Sequence, residues 1–284
     1  MPPADVITPT SARRLETSSL GDRILIVAPH PDDETLAAGG TMHALRARGA
    51  DVRIVLLTAG DAYLRAARRI GRFSPDAPTY RRLGDMRFRE SQDAAESLGI
   101  PASDVMCLGY PDGRLEAMWA DPGTVTTGRN GSAVVPYDWA LSPGAPCSGE
   151  AMHLDLTATI AGFAPETVIF PDACETHADH AYAHRFVMRA LQQADTVRLR
   201  LTYLIHQGHY PFPWAYLPRR SLRPPRALRT DDRDWRSVTL GVDDVTAKES
   251  ALRAFPSQNA IPDLRYFMRA FVRANEVFSV ETDQ

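Results

Sequence analysis

The sequence predicts an α/β fold: a mostly parallel sheet with helices on both faces. Short apolar runs rich in β-branched residues alternate with longer helical stretches. The order strand, helix, strand, helix, strand argues for parallel strands joined by crossover helices. The runs are continuously apolar, as strands covered on both faces are.

Arg23 to Ala28 reads as the first buried strand. A helix follows from about Thr35 to Arg48, with Leu36, Met42 and Leu45 apolar and Gly49 as its stop. Gly39-Gly40 within it reads as a device for close packing on the sheet. Val52 to Thr58 is the second strand. Tyr80 to Leu98 is a long helix ended by Gly99 and Pro101, and Asp104 to Leu108 is the third strand. A helix over Thr157 to Phe163, a strand over Thr167 to Phe170, a helix over His180 to Gln192 and a strand over Val197 to His206 continue the rhythm. Helices near Asp244 to Phe255 and Pro262 to Arg273 precede a last strand, Glu276 to Val280.

Residues 113–150, rich in Gly, Pro, Ser and Thr, and residues 207–236, rich in Pro and aromatics, interrupt that rhythm. Long irregular segments in a compact domain are walls, lids or surface decoration. Residues 1–20 mix Pro, Ser, Thr and charge around no apolar centre, so they read as a leader without order. That leaves 21–284 as a single domain, a size that buries a sizeable core.

Composition excludes some classes. The formal net charge is −3, which gives a nucleic-acid partner no support. The basic clusters Arg65 to Arg72 and Arg219 to Arg229 read as solvated surface. No apolar run approaches the roughly 20 residues of a membrane span. The three cysteines, Cys107, Cys147 and Cys174, form no CxxC pair, which argues against a disulfide framework and fits the reducing cytoplasm.

Chemistry concentrates in Pro29-His30-Pro31-Asp32-Asp33-Glu34, directly after the first strand. The carboxyl end of a strand in an open parallel sheet is where ligands bind. Two prolines stiffen the turn. His30 and Asp33 can converge on one ion, and imidazole plus carboxylate suits zinc. Asp32 then points elsewhere, and one carboxylate ligand beside one free carboxylate is what metal-assisted hydrolysis needs. The plainer alternative is a polar turn in which Asp32 or Asp33 caps the helix.

A catalytic zinc usually takes three protein ligands. Glu175-Thr176-His177-Ala178-Asp179-His180 again follows a strand and leads into a helix. His177 and His180 share a helical face, so one can bind metal while the other faces substrate. Asp179 or Asp172 could orient a ring nitrogen from behind. His184 reads as support or packing, and His206 and His209 as substrate contacts. Cys174 reads as a buried thiol.

These motifs resemble the PIG-L/LmbE-like zinc deacetylases, which carry a His-Pro-Asp-Asp-Glu loop after the first strand and a later His-x-Asp-His segment. Arg87-Phe88-Arg89-Glu90 with Leu98-Gly99, Gly109-Tyr110-Pro111-Asp112-Gly113-Arg114-Leu115 and Lys248 to Gln258 extend the likeness from about residue 23 to 280. The resemblance implies a Rossmann-like fold, one zinc or other divalent metal per chain, and hydrolysis of an N-acetyl amide on a glucosamine-type sugar or glycoconjugate. It also implies His30, Asp33 and His180 as ligands and Asp32 as general base. A protonated His177 is implied to stabilise the charged intermediate, and Arg87 and Asp112 to contact the sugar. Relatives often assemble, which leaves a homo-oligomer open. One position departs: thiol-pathway relatives place a Tyr where this chain has Glu175. A zinc amidase acting on a larger amide, and a non-catalytic nucleotide-binding Rossmann domain, are the competing readings. The latter lacks GxGxxG after the first strand and lacks a P-loop.

Overall fold

The structure is a computed structural model and describes residues 12–71, 73–230 and 232–282. The sheet has eight strands: β1 (Arg13–Arg14), β2 (Arg23–Ala28), β3 (Asp51–Thr58), β4 (Val105–Tyr110), β5 (Thr167–Pro171), β6 (Leu199–Tyr203), β7 (Trp235–Thr239) and β8 (Asn275–Val280). Their spatial order is β1-β7-β8-β6-β5-β2-β3-β4. Every pairing is parallel except those of β8, which runs antiparallel to both β6 and β7. The helices are α1 (Asp33–Ala47), α2 (Leu64–Ile70), α3 (Ala77–Ser97), α4 (Leu115–Ala120), α5 (Gly149–Phe163), α6 (Ala178–Leu191), α7 (Val242–Arg253), α8 (Pro256–Asn259) and α9 (Pro262–Arg269). The architecture is the expected mostly parallel α/β sheet.

Strand side chains alternate between faces, and β2 shows it cleanly. Ile24, Ile26 and Ala28 join the core beneath α1, α3 and α7, while Leu25 and Val27 join the core beneath α5 and α6. The second core carries fully buried Phe186 and Phe163. Each such ring removed from water contributes about 1.5–3 kcal/mol.

Three boundaries differ from the sequence reading. Residues 12–20 belong to the fold: β1 pairs with β7, and Leu20 at the end of a short 3-10 turn is fully buried. The rest of the expected leader lies outside the described residues. Helix α5 starts at Gly149 rather than Thr157, because the Ser148 hydroxyl accepts from Ala151 N–H at 3.2 Å and caps it. Helix α2 falls in the basic stretch read as solvated surface, and strand β7 begins within the 207–236 stretch read as irregular. The 113–148 segment is tied down rather than loose: Trp139 stacks on Phe88 at 4.2 Å, and the Tyr137 hydroxyl donates to Asp61 at 2.6 Å.

Gly39-Gly40 lets α1 lie close to α7, to the residue that follows β7 and to Glu276 of β8. A Cβ on Gly40 would lie 2.4 Å from Leu240, and one on Gly39 would lie 3.1 Å from Lys248 of α7. A buried ion pair lies against α1 here. Lys248 Nζ donates to Leu36 O at 2.8 Å and to Glu276 Oε1 at 2.5 Å. The same Glu276 carboxylate accepts Gly40 N–H at 2.9 Å and Thr41 N–H at 2.7 Å. Side chains from α7 and β8 thus bind a carbonyl and two amides of the α1 backbone.

Candidate metal centre

The turn between β2 and α1 is bent so that its carboxylates serve the site and leave the helix uncapped. Asp32 stands at the N-cap with φ 104°, left-handed for a residue with a Cβ, and its side chain makes no cap hydrogen bond. Strained backbone of this kind persists where surrounding contacts fix it. Those contacts are on hand: Glu34 Oε2 accepts Asp32 N–H at 3.0 Å, and Asp33 Oδ2 accepts His30 N–H at 3.1 Å. Arg87, buried on α3, donates to Gly60 O at 2.7 Å, to Pro31 O and to Asp32 Oδ2 at 3.2 Å. The capping alternative for Asp32 is therefore excluded.

The end of β5 supplies the other half. His180 is fully buried on the first turn of α6, and its Nε2 lies 3.1 Å from Asp33 Oδ2. His30 Nδ1 lies 3.1 Å from the same oxygen. The ligand atoms of His30, Asp33 and His180 all lie within 4.8 Å of one another. Neither ring nitrogen of His180 has a hydrogen-bond partner of acceptable geometry. Buried and convergent, with the His180 nitrogens left without hydrogen bonds, these donors fit a shared cation. A second grouping, His30 with Asp112 and Asp179, is also compact. Its carboxylates are already engaged: Asp179 accepts Gly113 N–H at 2.6 Å and Leu115 N–H at 3.2 Å, and Asp112 accepts Ala62 N–H at 2.7 Å. The first grouping is the better cage.

Electrostatics agree. Burial lowers the affinity of His180 for a proton, but Asp33 and Glu175 outweigh it and raise its pKa to about 9. Burial likewise opposes a charge on His30, and Asp112, Asp179 and Asp33 raise its pKa well above normal. Asp33 is held low by His180 and His30 against its own burial. The negative field that loads protons onto these imidazoles is the field that attracts a divalent cation, which binds by displacing them.

Glu175 is the residue whose role sequence reasoning left open. Its carboxylate lies 3.3 Å from His180 Nδ1 and accepts the amides of Ile205 at 2.5 Å and His206 at 2.7 Å. It orients the imidazole from behind while fixing the chain leaving β6. Asp179 meets the other imidazole, its Oδ2 3.3 Å from His30 Nε2, and also holds the Gly113 turn.

Asp32 borders the cage with its pKa raised to about 7, by burial first and by Asp33, against the pull of Arg87. His177 lies across the site, its ring 5.1 Å from His30 and 5.2 Å from His180. Burial, then the charges of His30 and His180, push its pKa down to about 4. The sequence reading has His177 protonated; burial and the two charged imidazoles beside it oppose that form. His206 rings the same space, 4.8 Å from His180 and stacked on Phe267 at 5.7 Å. His184 packs beneath, its Nδ1 3.0 Å from Pro171 O. His209 lines a separate hollow. Cys174 is half-buried, not buried, and its Sγ accepts from Arg233 at 3.2 Å.

His30, Asp32, Asp33, Arg87, Asp112, His177 and His206 open into a cavity of about 760 Å3. Arg114 and Arg129 reach it from the 113–150 segment, and Tyr63, Gln258 and Phe267 complete the wall. The sequence reading singled out none of these five as site residues. Arg87 and Asp112 border the cavity but spend their hydrogen bonds within the protein, holding Asp32 and His30. Glu90, three residues on from Arg87, accepts Ser257 N–H at 2.8 Å and so seats α8 at the rim.

An open α/β sheet with a buried His-Asp-His cluster and a further carboxylate at its strand ends is an arrangement that could hold one cation. The chain belongs to the PIG-L family: the family model described as GlcNAc-PI de-N-acetylase matches residues 25–191. It is similar to the 1D-myo-inositol 2-acetamido-2-deoxy-alpha-D-glucopyranoside deacetylase of Mycobacterium sp. (strain KMS), 30% identical over 258 residues, covering 86% of this chain and 76% of the relative. Among solved structures it resembles N,N'-diacetylchitobiose deacetylase from Pyrococcus horikoshii, with TM-score 0.57, 18% identity, and coverage of 92% of this chain and 84% of that one. It also resembles GalB, the 4-carboxy-2-hydroxymuconate hydratase of Pseudomonas putida, with TM-score 0.52, 15% identity, and coverage of 92% and 98%. At such identities the structural likeness establishes the fold alone, and one fold carries different chemistries.

Proposed function

We propose that this chain is a zinc-dependent hydrolase that removes the N-acetyl group from an N-acetylglucosamine-type sugar or glycoconjugate and releases acetate. The observation that carries the reading is the buried His30–Asp33–His180 cage beside an Asp32 that caps nothing. The family and the deacetylase relative point the same way.

His30, Asp33 and His180 would hold the metal. When bound, it supplies Lewis acidity toward the amide carbonyl and toward the attacking water. Asp32, fixed by Arg87, takes the proton from that water, and a carboxylate with its pKa near 7 is matched to the task. Neutral His177 donates a hydrogen bond to the oxygen that gains charge in the tetrahedral intermediate. The proton on Asp32 then passes to the departing amine. The 760 Å3 cavity suits a sugar with an attached group. Residues 21–284 act as one catalytic domain in this proposal, with segments 113–150 and 207–236 as walls. Among the described residues no helix is long and apolar enough to cross a membrane. We place the protein in the cytoplasm because its three cysteines are free.

The test pairs metal analysis with an acetate-release screen over N-acetylglucosaminides, alongside conjugates carrying larger acyl groups. Stoichiometric zinc with acetate release is expected. Release of only the larger acid would replace deacetylation with amidase chemistry. A full complement of zinc in His180→Ala would remove that histidine from the ligand set.

A further inference from the structure

The 760 Å3 cavity has two unlike sides. In the strand order β6-β5-β2-β3-β4, the His30–Asp33–His180 cluster sits where β2 and β5 end. Asp112 follows β4, on one flank of that pair, and His206 follows β6, on the other. Near β4 the wall is charged: Asp112, Arg114 and Arg129 line it. Near β6 it is apolar. There Leu264 and Phe267 of α9 stand beside the His206 ring, which stacks on Phe267 at 5.7 Å.

On that apolar side the cavity continues into a side pocket of about 290 Å3. The two share Tyr63, His206, Leu264 and Phe267. Ile205 and Tyr210, both buried, add to the pocket wall, and so does Trp214, packed on Phe267 at 5.2 Å. Three of its polar groups are already engaged. The Thr176 hydroxyl donates to His206 O, the Trp214 indole N–H donates to His209 O at 3.2 Å, and the exposed Asp263 pairs with Arg65 at 2.5 Å.

An amide whose carbonyl lies at the cluster sends one substituent toward each side. Sugar hydroxyls need polar partners, which the β4 side supplies; against the β6 side they would lose water without compensation. The acyl group therefore faces β6, where the space far exceeds the methyl of an acetyl group. We propose that the side pocket is an acyl subsite, and that the same centre cleaves sugar amides of medium-chain apolar acids such as hexanoic acid. As the C–N bond breaks, water gives its oxygen and one hydrogen to the acyl carbon and its other hydrogen to the nitrogen. No other reactant is needed. The cleavage rests on the amide-hydrolase reading; the pocket's affinity for an acyl chain does not. Each methylene that leaves water is worth roughly fourfold. The chain lies apart from the reacting bond, so its gain falls on KM.

In the first arm of the test, the zinc-loaded full chain is assayed for amine release from methyl N-acetylglucosaminide and methyl N-hexanoylglucosaminide. A kcat/KM about tenfold or more higher for the hexanoyl compound, carried by KM, is expected. Leu264→Trp fills the pocket, and Trp214→Ala removes an exposed part of its wall. Each should lower that preference about fivefold or more, and the exposed change keeps the result readable should Leu264→Trp misfold. Val242→Ala, at an exposed position on α7, should keep the wild-type preference. Acetate release with no preference for the hexanoyl compound, or a preference unmoved by both pocket variants, overturns the acyl subsite and leaves deacetylation standing. In the second arm, hexanoate and acetate are titrated into the same protein by calorimetry. Hexanoate should bind about tenfold more tightly, and Leu264→Trp should erase that margin. Amine release from neither amide sinks the hydrolase reading. The hexanoate margin would then leave the pocket standing, and equal binding of the two acids would overturn it as well.

Discussion

Removing Lys248 tests whether the ion pair of α7 and β8 braces α1, the helix that begins at the His30–Asp33 turn. In Lys248→Met the ammonium is lost from a site 1% exposed, leaving Glu276 buried without its counter-ion and Leu36 O without a donor. Breaking a buried pair from one side costs about 3–5 kcal/mol. At about 2.1 cal/mol/K per residue, a chain of 284 residues unfolds with roughly 0.6 kcal/mol per degree, so the midpoint should fall by about 5–8 °C. Glu276→Gln should cost a similar amount, because the Lys248 ammonium then stays buried without its counter-ion even though an amide oxygen still accepts a backbone amide. The assay is differential scanning calorimetry on wild type, both singles and the double variant, closed as a double-mutant cycle. A coupling above about 1 kcal/mol is expected for groups in direct contact. A Lys248→Met midpoint within a degree of wild type, or a coupling near zero, would refute the reasoning.

Three other substitutions address the site and its surroundings. Asp32→Asn should keep its zinc but lower kcat by about 100-fold or more, and a variant with native kcat would strip Asp32 of the base role. Glu175→Gln should weaken zinc affinity by about 10–100-fold, read by competition with a chelator; unchanged affinity would make Glu175 only a brace for the β6 end. Asp61 is buried with Oδ1 unpartnered, and burial with repulsion from Asp112 raises its pKa to about 6. A raised carboxylate favours the fold below its ordinary pKa near 3.8, and that contribution fades as pH climbs through 6. Asp61→Asn should therefore gain stability relative to wild type between pH 4 and 7, by about 3 kcal/mol at most. Parallel stability profiles for the two proteins would contradict the assigned pKa.

The parts legible in the sequence are those whose signal is local. The β2 run and the β3 run declare themselves because each is apolar on both faces. His30 and Asp33 are readable because one stiff turn holds both. Strand β7 was hidden, since only Trp235 and Val238 of its five residues are buried. Helix α2, with three arginines among seven residues, read as a charge cluster. The duties of Glu175, Asp179 and Asp112 were out of reach for another reason. Each binds main-chain amides brought from distant segments, such as Ile205 to Glu175, and no one-dimensional spacing encodes such a pairing. The same holds for Arg87, whose reach to Asp32 exists only once α3 packs beside the β2 turn.

Strand β8 gives the molecule an order of assembly. It lies between β6 and β7, yet it is the last of the eight strands to be synthesised. The parallel half that carries the His30–Asp33–His180 cluster, β6-β5-β2-β3-β4, can pair without it. The β1-β7 half cannot join the sheet until residues 275–280 have left the ribosome. Closing a ladder over such separations is slow, because loop entropy is lost before contacts compensate it. On a translating chain the open edge of β6 is therefore the surface most exposed to premature strand pairing with a neighbour.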